Sequence, residues 1–381
     1  MALILKKASA EQKGVLIITH REYLYWTENR FYLGEFLEPY KLAKRLINKY
    51  GIRFFINDTI SLIKSNYLIG VHWGFKHTDV LSKDWVDFHM SSKSTVNFLN
   101  EVNHIHLCSA DFINEYFYPS NNCFKLWDII CVSRNKKFKN LDKFLISIRK
   151  IFDNNTKVKV CLIIPSIKGE TRDKSCYQEL VKDYNSMFSY EEKQRFVMLK
   201  SDPDMGNLGF SHSFIADMYR ISKVFTLFSS EEGESRVIKE AIRCGLKVVV
   251  WKDLSGGGRD TLNSSNSFEF NDYDNAHTHL MQAVESFDCK EQMRLKRDDN
   301  GVALNILIEE LAKVYAEREL KFDFTLDVTD NLDRRLPNHY PNERPFWTED
   351  NLSKNKWHDV DSISRIIKFK KYFKNELLGS K

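Results

Sequence analysis

The chain has 381 residues, of which 43% are hydrophobic and 29% charged, the proportions of a folded globular protein rather than a disordered one. At roughly 100–200 residues per domain, this length predicts two domains. The formal net charge of +5 is small, which argues against a surface that binds nucleic acid over its whole extent, so we expect no nucleic-acid partner and only a local anion site.

The seven cysteines are scattered along the chain, and no two of them form a Cys-x-x-Cys pair. This odd, widely spaced set argues against both a disulfide framework and a zinc site. The apolar start of the chain, before Lys6 and Lys7, is too short for a signal-peptide core, and no apolar run is long enough to span a bilayer. The sequence therefore predicts a cytoplasmic protein in a reducing compartment.

The first third of the chain alternates short apolar runs with helical patterns. The predicted elements are strand Gly14–His20, helix Tyr32–Tyr50, strands Ile52–Asn57 and Tyr67–Val71, helix Ser94–Val102 and strand His104–Ala110. Strands that alternate with helices indicate parallel βαβ units. Residues 1–125 are therefore predicted to form a first Rossmann-like domain.

The alternation restarts near Leu126 and continues to about residue 320. The predicted strands are Leu126–Val132, Lys157–Pro165, Arg195–Lys200, Val224–Leu227 and Lys247–Trp251, and the predicted helices are Leu141–Phe152, Tyr177–Phe188, Ser213–Ile221 and Arg236–Cys244. We interpret residues 126–320 as a second α/β domain. Residues 321–381 lack this periodicity and are predicted to form an extended crossing segment with a basic terminal helix, Asp361–Leu378.

Two interpretations of the terminal helix stay open. It combines an apolar side, with residues such as Ile363 and Phe373, with several lysines. A basic amphipathic helix of this kind can dock on an anionic membrane surface, which would make the protein peripheral on the inner face of the membrane. Its apolar stripe can equally pack against the first domain.

The segment from Phe228 to Gly245 contains the clearest candidate ligand-binding residues. A predicted strand ends at Leu227, a loop turns through Gly233, and a helix begins near Ser235. Backbone N–H groups at a helix start attract phosphate. Glu232 and Glu240, eight positions apart, can contact different parts of one elongated ligand, and carboxylates accept hydrogen bonds from the hydroxyls of a ribose or a hexose.

A second candidate segment follows the predicted strand Leu126–Val132. Arg134 and Lys139 stand five positions apart in a basic loop. Such runs are usually solvated surface, but cations placed in advance also stabilise the charge that develops on a leaving diphosphate. On the residues alone, both interpretations stay open.

Together these segments resemble the donor-site signature of retaining glycosyltransferases of family 4. The matching positions are Ser229, Glu232, Gly233, Glu240, Ala241, Gly245, Val248 and Val249, with Arg134 and Lys139 at the positions of the family's two diphosphate-binding cations. Glu234 and Lys247 depart from the signature, which has an apolar or aromatic residue and a proline there. The resemblance covers about residues 126–315.

The resemblance implies the GT-B fold, with two Rossmann-like α/β domains whose parallel sheets face a central cleft. It implies a metal-independent enzyme without a cofactor that moves a sugar from a nucleoside diphosphate to a glycan or a lipid-linked acceptor in bacterial surface polysaccharide synthesis. The implied donor-binding residues are Arg134, Lys139, Glu232, Gly233, Glu234, Ser235, Arg236 and Glu240. The implied catalytic residues are Glu232, Arg134, Lys139 and His72.

The assignment of His72 depends on chain order, because it follows the strand Tyr67–Val71 where the family has a histidine that reaches the donor sugar. A histidine near a strand end is more often structural. Two other functions stay open: an epimerase or phosphorylase with the same architecture, and a catalytically inactive GT-B subunit that scaffolds a polysaccharide assembly complex.

Overall fold

The structure is a computed structural model, which describes residues 2–9, 11–19, 64–72, 81–92, 102–120, 122–154, 157–165, 173–201, 210–294, 300–323, 325–327 and 332. The chain divides into two compact units. The first contains Met1–Ser91, Val96–Phe112 and Gly301–Lys381, and the second contains Ser92–Thr95 and Ile113–Asn300.

The first unit is built on a five-stranded sheet. Its strands, in spatial order, are β1 (Ala2–Lys6), β2 (Gly14–Thr19), β3 (Tyr67–His72), β4 (Phe88–Met90) and β5 (Asn103–Ile105). The first strand is antiparallel to its neighbour, and the others are parallel. Strand β3 is buried at every position, as its apolar run predicts. Both faces of the sheet are therefore covered at this strand.

The second unit contains a six-stranded sheet whose strands are all parallel. Its strands are β6 (Trp127–Val132), β7 (Val160–Ile164), β8 (Phe196–Lys200), β9 (Ser222–Leu227), β11 (Lys247–Trp251) and β13 (Ser267–Phe270). Two short strands, β10 (Glu231–Glu234) and β12 (Ser255–Gly257), form a separate parallel pair. The expected α/β class with parallel sheets is confirmed.

The α-helices of the described residues are α1 (Leu141–Asn154), α2 (Asp173–Met187), α3 (Tyr190–Lys193), α4 (His212–Arg220), α5 (Arg236–Arg243), α6 (Ala276–Glu285), α7 (Cys289–Arg294) and α8 (Asn300–Glu317). Successive residues of β6 point to opposite faces of the second sheet: Ile129 packs into one apolar cluster and Ile130 into another. Both faces of this sheet are therefore covered.

The order of the second sheet, β13-β11-β9-β6-β7-β8, reverses direction at β6. The chain runs outward from β6 through β7 to β8 and then returns to the other side of β6 as β9. Ligands of open parallel sheets bind outside the carboxyl ends of the strands at such a reversal point. The loops that follow β6 and β9 therefore leave the sheet where a ligand site is expected.

The units divide the chain differently from the predicted boundaries at 125/126 and 320/321. Helix α8 belongs to the first unit, where Leu307, Leu311 and Val314 lie in the same apolar cluster as Val15 of β2. Residues 113–125 belong to the second unit. Apolar periodicity predicts a helix but not the sheet on which it packs, so the sequence could not place α8.

The cysteine prediction is wrong in one respect, because Cys123 and Cys289 form a disulfide. The two residues are 166 positions apart, and the fold brings their Cα atoms to 5.7 Å. Spacing along the sequence carries no signal of such a pair. The other five cysteines, all of which lie within the described ranges, are not disulfide-bonded.

Several predicted elements lie outside the described residues: the helix Tyr32–Tyr50, the strand Ile52–Asn57, nearly all of the helix Ser94–Val102, and the terminal helix Asp361–Leu378. None of the helices in the described ranges has the length and apolar character needed to cross a membrane.

Candidate functional site

The two candidate segments meet at the carboxyl edge of the second sheet. Strands β6 and β9 are paired, with Cys131 opposite Thr226, so the loops that follow them start side by side. The loops are also bonded to each other, because the N–H of Ser230 donates to the carbonyl of Phe138 at 3.3 Å. The fold therefore brings together two motifs that are far apart in the sequence.

Asn140 fixes the position of the basic loop. It adopts a left-handed conformation, with φ of 50°, after the 3₁₀ turn Lys137–Lys139. Its side-chain amide donates to the carbonyl of Phe228 at 3.0 Å and to the hydroxyl of Tyr273 at 2.9 Å. The Tyr273 hydroxyl in turn donates to the same Phe228 carbonyl. Lys139 therefore stands beside a residue that is bonded to the loop after β9.

Lys139 and Glu232 form an ion pair, in which the ammonium donates a hydrogen bond to the carboxylate. Each side chain is 12% exposed, so water screens this pair much less than a surface pair. Burial lowers the pKa of Lys139; the Glu232 carboxylate opposes this shift, and the nearby Arg134 guanidinium adds to it. Arg134 is itself exposed. The structure thus gathers Lys139, Glu232 and Arg134.

The segment around Glu232 is extended and paired, which corrects the predicted loop. Strand β10 runs parallel to β12, with Glu231 opposite Ser255 and Glu234 opposite Gly257. Between these two pairs, Glu232 and Gly233 lie opposite the single residue Gly256, which is a β-bulge. The sequence Glu-Glu-Gly-Glu has no strand propensity, so only its partner strand shows that it is extended.

The glycines after β11 are required by this pairing. Gly256 has a φ of +111°, and a Cβ there would lie 2.2 Å from the backbone oxygen of Glu232. Gly258 has a φ of +93°, and a Cβ there would lie 2.5 Å from the oxygen of Ser235. The glycine run therefore lets a second backbone approach the segment that carries Glu232.

We expect Gly256→Ala to displace the backbone of Glu232 and to lower the free energy of unfolding by about 1–3 kcal/mol, the usual cost of a strained backbone position. Urea denaturation measures the loss. Ser255→Ala is the matched control, because position 255 needs no left-handed conformation. Equal stability of the two variants would contradict the close backbone approach.

Helix α5 begins after Ser235, as predicted. The N–H of Ser235 donates to the carbonyl of Gly257 at 2.9 Å, so this group is committed within the protein and is not available to a phosphate. Arg236, Gly233 and Glu234 are half-buried around this helix start.

Glu240 lies within α5, on its buried side, and is 7% exposed. Burial raises the pKa of the Tyr219 phenol well above its usual value, and the Glu240 carboxylate adds to this shift. Glu240 is therefore an interior carboxylate close to Tyr219, not a solvated surface residue. Its assignment to a ribose stays a prediction.

Three further polar side chains at this edge were missed or only partly identified by the sequence. Within the described residues, the amide nitrogen of Asn135 and the hydroxyls of Ser229 and Ser235 have no hydrogen-bond partner. All three side chains are at least nine-tenths buried. Buried polar atoms are normally paired, so three unpaired ones on these segments set this part of the second unit apart from an ordinary core. The only sequence signal for Asn135 was its place beside Arg134.

His72 is not in the same unit as the other predicted site residues. It ends β3 of the first unit, opposite Thr19 and Met90, and is 4% exposed. Its contact with a donor sugar stays a prediction. Across the described ranges, no cluster of three or more His, Cys, Asp and Glu side chains is arranged to hold a metal ion.

No protein-family model matches the chain, and no curated protein matches it. Among solved structures, it is similar to the UDP-forming alpha,alpha-trehalose-phosphate synthase of Burkholderia xenovorans, with 15% identity and a TM-score of 0.37, over 51% of this chain and 42% of that one. It is also similar to S. aureus TarM, solved with UDP, with 11% identity and a TM-score of 0.43, over 66% and 51%.

A third similar structure is the C-terminal domain of LpcC, a group 1 glycosyl transferase family protein of Francisella tularensis, with 16% identity and a TM-score of 0.35. The match covers 47% of this chain and 90% of that domain. The chain spans less than two thirds of the trehalose-phosphate synthase and of TarM. A UDP-forming synthase and a glycosyl transferase domain are thus among the solved structures that this chain resembles.

Proposed function

We propose that the chain is a retaining glycosyltransferase whose second unit binds a nucleoside diphosphate sugar. The observation that carries the proposal is the meeting of Arg134, Lys139 and Glu232 outside the carboxyl ends of β6 and β9, where the strand order reverses. The resemblance to the donor-site signature assigns the same three residues to the diphosphate and the sugar.

The chemistry of these residues suits the reaction. As the bond between the sugar and the diphosphate breaks, the leaving diphosphate gains negative charge. Cations held in place in advance stabilise that charge without reorganising. Lys139 is fixed beside Asn140, and Arg134 stands near enough to act on the same charge. Two cations held by the protein itself support a metal-independent transfer. That the reaction uses no cofactor is what the resemblance implies.

The remaining parts of the proposal depend on the resemblance. They are a glycan or lipid-linked acceptor, a role in bacterial surface polysaccharide synthesis, and a cytoplasmic site of action. Within the second unit, Gly233, Glu234, Ser235 and Arg236 would line the donor, and Glu240 would bind the ribose.

A thermal-shift screen with UDP, GDP, ADP, CMP and their sugars tests the proposal. A ligand at a hundred times its dissociation constant stabilises the folded protein by about 2.7 kcal/mol, which is readily detected. Stabilisation by one nucleoside diphosphate and its sugar is the expected result. The absence of any stabilisation would instead favour the scaffold function.

We expect Glu240→Gln to weaken the binding of that nucleoside diphosphate by roughly ten- to a hundred-fold. Hydrogen bonds to charged groups contribute about 1.5–3 kcal/mol, and the amide keeps the shape but not the charge. Calorimetric titration measures the change. Glu285→Gln, an exposed substitution at the end of α6, is the control. Unchanged binding in Glu240→Gln would remove Glu240 from the ribose site.

A further inference from the structure

The partner of Lys139 in the structure is an anion supplied by the protein itself. The Glu232 carboxylate accepts from the Lys139 ammonium, and both side chains are largely shielded from water. A diphosphate that binds Lys139 approaches the same ammonium group. Because the pair is largely shielded from water, the diphosphate and the Glu232 carboxylate compete for one ammonium group.

We infer that Glu232 is a displaceable anion: a diphosphate replaces its carboxylate on Lys139, so that ligand binding and the release of Glu232 are one exchange. This inference rests on the proposed function, because it takes the ligand of Lys139 to be a diphosphate. It adds that Glu232 lowers the affinity of the site for a bare diphosphate.

The charges around the pair allow this exchange. Glu232 carries one negative charge and is bonded to one cation, Lys139. A diphosphate carries more negative charge, and the positive charge of Arg134, which is near enough to lower the pKa of Lys139, also attracts that ligand. The diphosphate therefore gains two cations where the carboxylate has one, which favours the exchange.

The backbone around Glu232 also allows it. Glu232 lies in the bulge between the two register positions Glu231 and Glu234 of β10. Residues in a bulge are not held by ladder hydrogen bonds, so their side chains can be re-aimed while the strand pairing persists. The carboxylate can thus leave Lys139 without separating β10 from β12.

The test is calorimetric titration of the full chain with UDP, GDP, ADP and inorganic pyrophosphate. We expect Glu232→Gln to bind pyrophosphate and the preferred nucleoside diphosphate about ten-fold more tightly than the parent protein, because the competing charge is gone. Glu231→Gln is the matched control, since it removes an equal charge from the neighbouring exposed position. We expect its affinity to stay within two-fold of the parent.

Equal or weaker binding by Glu232→Gln, or an equal gain in Glu231→Gln, would overturn the exchange. A second measurement uses the parent protein alone and so does not depend on the folding of a variant. Saturation with pyrophosphate should increase carbodiimide-driven amidation of Glu232, measured by mass spectrometry, and unchanged labelling would also overturn the exchange. If no diphosphate binds the parent protein at all, it is the proposed function that fails.

Discussion

Replacing Lys139 with alanine should weaken diphosphate binding by roughly a hundred-fold or more, a larger effect than that of any other single substitution at the site. Charge-assisted hydrogen bonds to phosphate contribute about 1.5–3 kcal/mol, and their loss alone gives a ten- to hundred-fold change. The substitution also leaves the Glu232 carboxylate without its ammonium partner, in the place where the ligand's negative charge would go. The two effects act in the same direction.

Titration with the diphosphate and with the bare nucleoside separates phosphate binding from general damage. Lys139→Ala should lose diphosphate affinity and keep nucleoside affinity. Lys137→Ala is the matched control, because Lys137 is an exposed cation of the same 3₁₀ turn. Equal loss of both ligands, or an equal effect at position 137, would contradict the assignment of Lys139 to the diphosphate.

Removing the disulfide should lower the free energy of unfolding of the second unit by about 2–4 kcal/mol. The bond joins Cys123 to Cys289 and closes a loop of 166 residues within that unit. A cross-link over so long a loop restricts the unfolded chain strongly, and removing a native disulfide commonly costs this amount. Urea denaturation of Cys123→Ser and of the parent protein, each with and without reductant, measures the difference.

Cys176→Ser is the control, because Cys176 is a half-buried free thiol on α2. Its stability should fall on reduction just as that of the parent does, whereas Cys123→Ser should be insensitive to reductant. Non-reducing peptide mapping that finds no Cys123–Cys289 link would contradict the pairing. The same experiment bears on the expected reducing compartment, where such a bond opens.

The sequence predicted the elements whose own residues determine them. Strands β2, β3, β6 and β11 each contain a continuous apolar run of at least four residues, which parallel sheets bury on both faces. Helix α5 begins and ends where its flanking residues indicate. Strand β10 was missed because it consists of charged residues and a glycine, and only its pairing with β12 makes it extended.

In the candidate site, too, residue types could be predicted from the sequence, whereas contacts between distant residues could not. The chemistry of Arg134, Lys139 and Glu232 was predicted from residue type and from the family signature. That Lys139 and Glu232 bind each other could not be predicted, because the pair joins residues 93 positions apart across two loops. The amide nitrogen of Asn135 is likewise identified only by the absence of a partner in the described part of the fold.

The discontinuity of the first unit has a consequence for synthesis. The chain leaves this unit after Phe112 and returns to it at Gly301, and α8 supplies Leu307, Leu311 and Val314 to its core. During translation the second unit, almost wholly contained in Ile113–Asn300, is complete before the ribosome has made α8. Domains fold as units as they emerge. The strands of the first unit are therefore made before the second unit, and their core is completed only after it, when α8 has been made.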